Sequence, residues 1–534
     1  MITKFLPMTR HALAAAAALL FAVTGSQAAV PVPTGELEIQ LLGRYSTGYY
    51  DQGGAEIPAY DAASRRLFVV NLKDRAIDVI SIVDPVNPVK VGALDLTTLG
   101  QAANSVSVKN GVLAVAVEAF VKTDPGLVAF FDTASLNLLG QVTVGALPDM
   151  LTWTANGARV VVANEGEPNA DYTIDPEGSV SIIEFNAAAP SASVVREVSF
   201  RYWDKAANRA NLVAAGVRLF GPNATTAQDL EPEYIAVNDA GTRAWVTLQE
   251  NNAIASINLD NGKVLWIRAL GTKDHMLSGN GLDASDKDNV INIANWPVQG
   301  YYMPDAIDKF YVGGKTYLIT ANEGDARDYA GYAEESRVKS LTLDPVAFPD
   351  GAALKADAAL GRLNVTKAQG DTDGDGDYDK LYSFGTRSVS VWNDKGALVW
   401  DSGDAIEQFV AATYPANFNA GHTTNSRDDR SDNKGPEPEG VKVASLFGQT
   451  YAFVGLERIG GVMVWNLAAP TAPQFVTYFN PRDFLATPGT PAAGDLGPEG
   501  LLVIPAKDSP NGKPLLVVAN EVSGTTTVMQ INKK

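Results

Sequence analysis

The chain has 534 residues, 46% of them hydrophobic, with a formal charge of −19 and no cysteine. This excludes disulfides, thiolate metal centres and cysteine nucleophiles, and argues against nucleic acid as a partner, because phosphate binding needs basic surface. With only three histidines in the chain, any metal must be held mainly by oxygen, which selects hard cations: calcium first, another divalent cation second.

Residues 1–28 read as a secretory signal peptide. Lys4 and Arg10 precede an apolar run over residues 11–23, and Ser26 and Ala28 are suitably small for cleavage after Ala28. Cleavage removes those two cations and makes the mature chain more acidic still. Residues 29–534 show no linker and no shift of composition, so they read as one domain. No later segment approaches the ~18 uninterrupted apolar residues of a membrane span. A soluble, monomeric, periplasmic or secreted protein is expected.

β-rich runs then recur, each placing one residue in a shared slot before a second run. They are "LFVVNLKDRAIDVISI" (Lys73), "LAVAVEAF" (Glu118), "VVVANEGEP" (Glu165), "AWVTLQENNAIASINL" (Glu250) and "YLITANEGDARDY" (Glu323). "KLYSFGTRSVSVWN" (Phe384), "YAFVGLERIGGVMVWNL" (Glu457) and "LLVVANEVSGTTTVMQI" (Glu521) follow. Eight units at this spacing predict an all-β fold, a single β-propeller of seven or eight blades with long inter-strand insertions. The count favours eight. One helix is predicted over Ala405–Tyr414, inside an insertion.

Five units open on a proline followed by an acid: Asp149, Glu233, Asp305, Glu439 and Glu499. Each acid lies one antiparallel strand pair before the later glutamate of its unit, Glu165, Glu250, Glu323, Glu457 or Glu521. Both acids of a unit should therefore emerge at the same end of neighbouring strands. Propeller symmetry would gather all ten at one mouth of the central channel. One such acid caps a turn; ten together repel unless neutralised. Arg327 and Arg458 are expected to neutralise some and a bound cation the rest.

"GDTDGDGDYDKLY" has the spacing of a calcium loop. Asp371, Asp373 and Asp375 stand at positions one, three and five, Gly376 at the turn, then Asp377 and Asp379. Tyr382 replaces the usual bidentate glutamate, so a ligand from elsewhere is expected, in a structural role. "GNGLDASDKDN" (Asp283, Ser285, Asp286, Asp288) and "NSRDDRSDNKGPEPEG" (Asp428, Asp429, Asp432, Asn433) are acid-dense without that spacing. No nucleophile elbow, P-loop or dinucleotide fingerprint is present. Catalytic candidates reduce to Glu439, Glu499, Glu165, Glu323 and His422, with His275 reading as a solvent-facing loop residue.

Together "NEGEPNADYTIDPEGSVSII", "AAGVRLFGPNATTAQDLEPEYIAV", "VTLQENNAIASINL", "GNGLDASDKD", "TDGDGDYDKLYSFGTRSVSVW" and "RSDNKGPEPEGV" resemble the choice-of-anchor I domain family from about residue 35 to the end. That family includes bacterial exported proteins and mesenchyme-specific cell-surface glycoproteins of biomineralising animals. The resemblance implies a propeller of seven or eight blades, an exported or surface location and a link with calcium; some relatives carry the label alkaline phosphatase. The ending "VMQINKK" has no apolar tail, so no anchor is expected. The expected function is a calcium-binding surface or periplasmic protein, binding or matrix-forming, whose partners are cations and a phosphorylated or other small or surface ligand. The alternative is a calcium-dependent hydrolase, either an alkaline phosphatase-like phosphoesterase or a lactonase-like esterase.

Overall fold

A computed structural model describes residues 30–534; the expected signal peptide lies outside the described residues. The runs that form the second strand of each unit, such as Arg66–Asn71, Val112–Val117, Arg159–Asn164 and Arg243–Leu248, are buried at every position but the first. β-branched and small residues suit such strands, because both faces are covered by neighbouring sheets.

Among the described residues these strands build seven four-stranded antiparallel sheets. Their first strands are Pro58–Asp61, Ala103–Lys109, Pro148–Trp153, Pro232–Val237, Ile307–Val312, Pro438–Leu446 and Pro498–Ile504. Each packs beside the next, and the last returns to the first, closing a ring. The core lies between sheets: Phe68, Ile77 and Val79 of one meet Val106, Leu113 and Val115 of the next. The ring is closed by the chain's two ends. Leu37–Ser46 pairs antiparallel with Thr525–Lys533, so the first strand forms the outer edge of the last sheet.

The favoured count of eight units is corrected to seven sheets. The strands Lys315–Ala321 and Val389–Asn393, read as separate units around Glu323 and Phe384, pair with each other in one sheet. The residues between them form an insertion, and a pattern of β-runs alone does not reveal which run partners which. Much of that insertion joins a separate five-stranded sheet of Thr272–Asp274, Gln299–Tyr301, Tyr382–Ser383, Asn364–Thr366 and Glu335–Arg337. The predicted helix forms over Ala405–Thr413, burying Ile406 and Val410 against the fifth and sixth sheets. Among the described residues no helix is long and apolar enough to cross a membrane.

A buried asparagine recurs at the end of the second strand, one residue before the acid. The Asn164 amide donates to the Ser179 and Ser181 hydroxyls at 3.1 and 3.0 Å. Asn322 donates to Thr386, Ser388 and Ser390 at 3.1, 3.2 and 2.8 Å, and Asn520 to Thr525 and Thr527 at 3.2 and 3.4 Å. These bonds hold the second and third strands together where the following glutamate leaves the sheet. Replacing Asn322 by alanine is expected to cost about 3 kcal/mol, at about 1 kcal/mol per lost bond. Urea denaturation of Asn322→Ala checks this.

Candidate functional site

At one mouth of the ring the first strands begin with a sharp entry. Leu147, Met303 and Glu437, each directly before its proline, adopt φ of 45°, 41° and 50°, and Gly497 does the same at 68°. Such a conformation is costly for a non-glycine residue, above all before proline. Burial of Leu147, Met303 and Glu437 holds it in place. In the sheets starting at Pro148, Pro232, Pro438 and Pro498 the register then shifts, so the acid after the proline falls within an irregularity of the ladder. The acid is thereby turned away from strand pairing and into the channel.

The result is a cavity of about 250 Å³ walled by Asp149, Glu165, Glu233, Asp305, Glu323, Glu439 and Glu499, as the sequence predicts, together with Asp325. Glu56, which the proline–acid pattern missed because it stands two residues before Pro58, adds a carboxylate from the first sheet: one oxygen each of Glu56, Glu499 and Glu521 lie within 4.8 Å of one another. The second sheet offers Asn104 and Ser105 at the same level.

One predicted position is displaced. Leu248 pairs with Pro232 as Asn164 pairs with Pro148, so the equivalent of Glu165 is Gln249, not Glu250. Gln249 lines the cavity and donates to Glu323 at 2.9 Å. Glu250 is buried beside the ring, with one oxygen lacking a hydrogen-bond partner. The adjacent "QE" pair makes the two registers indistinguishable in sequence.

Electrostatics set the character of the cavity. Burial first, and the neighbouring carboxylates second, push Glu56, Glu165, Glu233, Glu250, Asp305, Glu439 and Glu499 well above the usual carboxylate range. The same causes raise Asp149 and Glu521 to about 7. One oxygen each of Glu233, Glu439, Glu457 and Glu499 is buried with no hydrogen-bond partner. Buried polar atoms are normally paired, and three of these four residues, Glu233, Glu439 and Glu499, line the one cavity.

Among the described residues the cations ion-paired with Glu323, Glu437 and Glu457 gather on one side of this ring. Lys434 Nζ lies 2.7 Å from Glu323, 3.2 Å from Asp325 and 3.2 Å from Glu437. Arg458 bridges Glu437 and Glu457, each at 2.9 Å, and Arg430 takes the other Glu437 oxygen at 2.7 Å. Burial opposes charge on Glu437, but Lys434, Arg458 and Arg430 together hold it well below the usual range. The expectation for Arg458 is met; Arg327 acts on one of the ten acids, Glu250, while its ion pairs are with acids outside that set. Arg327 is fully buried against Asp229 at 2.5 Å and Glu231 at 2.9 Å.

His422 comes to the mouth, its Nδ1 3.1 Å from Glu457 and 3.9 Å from Glu521. One atom each of His422, Glu457 and Glu521 fall within 4.8 Å of one another, so Glu521 is shared with the Glu56–Glu499 group. His275, by contrast, is buried rather than solvent-facing. Its Nδ1 lies 2.6 Å from the Asn280 carbonyl, and burial pushes its pKa down to about 3, which leaves it neutral and structural.

The aspartate loop belongs to the insertion of the fifth sheet rather than to the ring's first strands. Gly376, at φ 100°, makes the turn as expected. Oxygens of Asp371, Asp373 and Asp379 lie within 4.8 Å of one another, as do those of Asp377, Asp379 and Asp344. Asp344, brought in by the parallel bridge of Leu343 with Tyr378, stands where a ligand from elsewhere is expected. Asp375 turns its carboxylate to the Asp377 amide at 3.2 Å. In the two other acid-dense loops, burial and then Asp428 raise Asp283 to about 8, and burial raises Asp428 to about 6.

The chain matches the choice-of-anchor I domain over residues 56–470. It is 34% identical over 192 residues to Gigasin-3a of Magallana gigas, covering 33% of this chain and 66% of that protein. It is 28% identical over 326 residues to a mesenchyme-specific cell surface glycoprotein of Strongylocentrotus purpuratus, covering 53% of this chain and 42% of that protein. The match thus spans under two thirds of each relative's length. Among solved structures, the β-propeller domain of Cps50 (Swd1) from Myceliophteria thermophila superposes with a TM-score of 0.43 at 8% identity, covering 93% of this chain and all of that one. The chain belongs to the choice-of-anchor I domain family.

Proposed function

We propose that this is an exported, calcium-binding β-propeller that works as a binding or matrix protein at the cell surface or in the periplasm. The observation that carries this reading is the carboxylate-walled cavity with its unpartnered buried oxygens. A hard divalent cation there satisfies those oxygens and offers its remaining coordination positions to an anionic group of a small or surface ligand, a phosphorylated one included. Asp371, Asp373, Asp377 and Asp379 with Asp344 form a second calcium site that stiffens the insertion. The surface location named for the Strongylocentrotus relative supports the same reading.

A second reading, a calcium-dependent phosphoesterase or lactonase-like esterase, is favoured by one feature. Glu521 belongs both to the Glu56–Glu499 group and to the His422–Glu457 group, the arrangement of a carboxylate bridging two metals. In that reading the raised Glu439 and Glu499 carboxyls are the available bases. Phosphomonoester, phosphodiester and lactone hydrolysis with calcium and after chelation separates the two readings. The binding-protein reading expects no turnover; calcium-dependent turnover lost in Glu439→Gln or Glu499→Gln overturns it.

Two further outcomes are expected. Double replacement Asp373→Asn plus Asp379→Asn lowers calcium stoichiometry and the calcium-dependent rise in melting temperature, without touching the channel. The pH dependence has a definite sign. Folded Asp149 and Glu521 hold protons up to about 7, above the ordinary carboxylate value, so their contribution is complete in acid and disappears as pH rises through 7. Chelated protein should therefore melt several degrees lower at pH 8 than at pH 5. Saturating calcium replaces the protons and should reverse the order, as differential scanning fluorimetry would read.

A further inference from the structure

The ring closes at the boundary between the last sheet and the first, and the chain crosses that seam in residues 47–57. The crossing segment is tied down on both sides. Thr47 and Asp51 donate from their amides to the carbonyls of Gly524 and Val522 in the last sheet's turn, at 2.9 and 2.7 Å, and the Glu56 amide donates to Val70 of the first sheet at 3.1 Å. Apolar packing runs across the seam, where Leu67, Val69 and Ile80 meet Ile504, Leu515 and Val517. Gly500 sets how close the sheets come at the channel mouth. A Cβ there would stand 2.3 Å from the Glu56 carbonyl oxygen and 2.4 Å from Pro58, so only glycine permits this approach.

That approach gathers three carboxylates from the two sides of the seam. Glu56 comes from the crossing segment, Glu499 and Glu521 from the last sheet, and one oxygen of each lies within 4.8 Å of the others. Glu56 is only 8% exposed, and among the described residues its carboxylate has neither a hydrogen bond nor an ion pair. Its Oε1 is folded back against Gly53, where a Cβ would stand 2.6 Å away. Glu499 Oε2 is also buried without a partner. Among the described residues only His422 comes within ion-pair distance of the three, 3.9 Å from Glu521, and it lies closer to Glu457, at 3.1 Å. A buried, unpartnered carboxylate placed against two others is costly unless something positive lies between them.

We propose that a divalent cation, of the hard, oxygen-seeking class of calcium, binds Glu56, Glu499 and Glu521 and is the clasp of the ring, joining the first sheet to the last. The placement rests on the reading of the channel as a cation site and gives that cation a mechanical role. Without it the three acids repel across the seam or take up protons, and closure is left to apolar packing and to the pairing of Leu37–Ser46 with Thr525–Lys533. Calcium takes about 6–8 oxygen ligands, so three carboxylates leave positions open toward the cavity for water or an anionic ligand. Ligand binding and ring closure are then linked through one ion, and a ligand that tightens the cation tightens the seam.

Hydrogen exchange read by mass spectrometry tests this on the full chain, in the Asp373→Asn plus Asp379→Asn background so that the aspartate loop contributes no ion. Calcium at about ten times its Kd should slow exchange about tenfold over residues 47–57 and Leu37–Ser46, relative to chelated protein. Pro148–Trp153 and Pro232–Val237, at the boundary of the third and fourth sheets, should not change. Glu56→Gln should lose that protection and one calcium per chain by equilibrium dialysis. Glu521→Gln, at a half-buried position, should do the same and stands in should Glu56→Gln not fold. Calcium retained by both variants, or bound without slowing exchange at the seam, overturns the clasp. Loss of that calcium in Glu439→Gln alone overturns the clasp but leaves the channel reading standing, and no calcium bound in this background overturns both.

Discussion

Closure of the ring is the constraint on which everything else depends. Pairing of Leu37–Ser46 with Thr525–Lys533 joins the two ends of the chain and brings seven first strands round one axis. Once they are there, whatever residue stands at the start of each first strand must share one small cavity with its equivalents from the other sheets. In this chain most of those residues are acids. Mutual repulsion of carboxylates held away from water is the unavoidable consequence, and the protein answers it unevenly. Lys434, Arg430 and Arg458 neutralise the side made by the fifth and sixth sheets. Among the described residues Asp149, Glu233, Glu439 and Glu499 have no ion pair, and burial raises all four.

That imbalance separates structural charge from functional charge. Glu437 is surrounded by three cations and held ionised, so it behaves as an anchor for them. Asp229 and Glu231 pair with Arg327, although for Glu231 burial outweighs the guanidinium and raises it to about 7. Among the described residues Glu233, Glu439 and Glu499 have no ion pair, are raised by burial and then by neighbouring carboxylates, and keep oxygens free. A group kept in a costly state by its surroundings, with nothing in the fold using it, is where ligand chemistry is to be sought. The insertions serve the same site at a distance, since one of them delivers His422, Arg430 and Lys434.

Much of this is legible in the residue pattern. Strand runs such as "VVVAN" and the proline–acid pairs point to a propeller with acids at one mouth, because strand periodicity and turn chemistry are local properties. The aspartate loop is legible for the same reason. What the pattern hides has a common cause. Phe384 reads as the centre of its own unit, although Val389–Asn393 pairs back to Lys315–Ala321 across an insertion of more than sixty residues. Glu250 reads as the channel acid in place of Gln249 because a one-residue shift changes which side chain faces the channel, and only pairing with Pro232 sets that register. Glu56 escapes because its proline comes after it.

Residue order fixes the composition-level chemistry: oxygen ligands, no thiol, a surplus of acid, and the repeating strand pattern that commits the chain to a propeller. Folding in three dimensions decides how many sheets close the ring, which acids meet and which of them keep a cation. The reason is that a carboxylate's burial, its partners and its affinity for protons or metal are properties of the space around it. That space is assembled here from segments hundreds of residues apart.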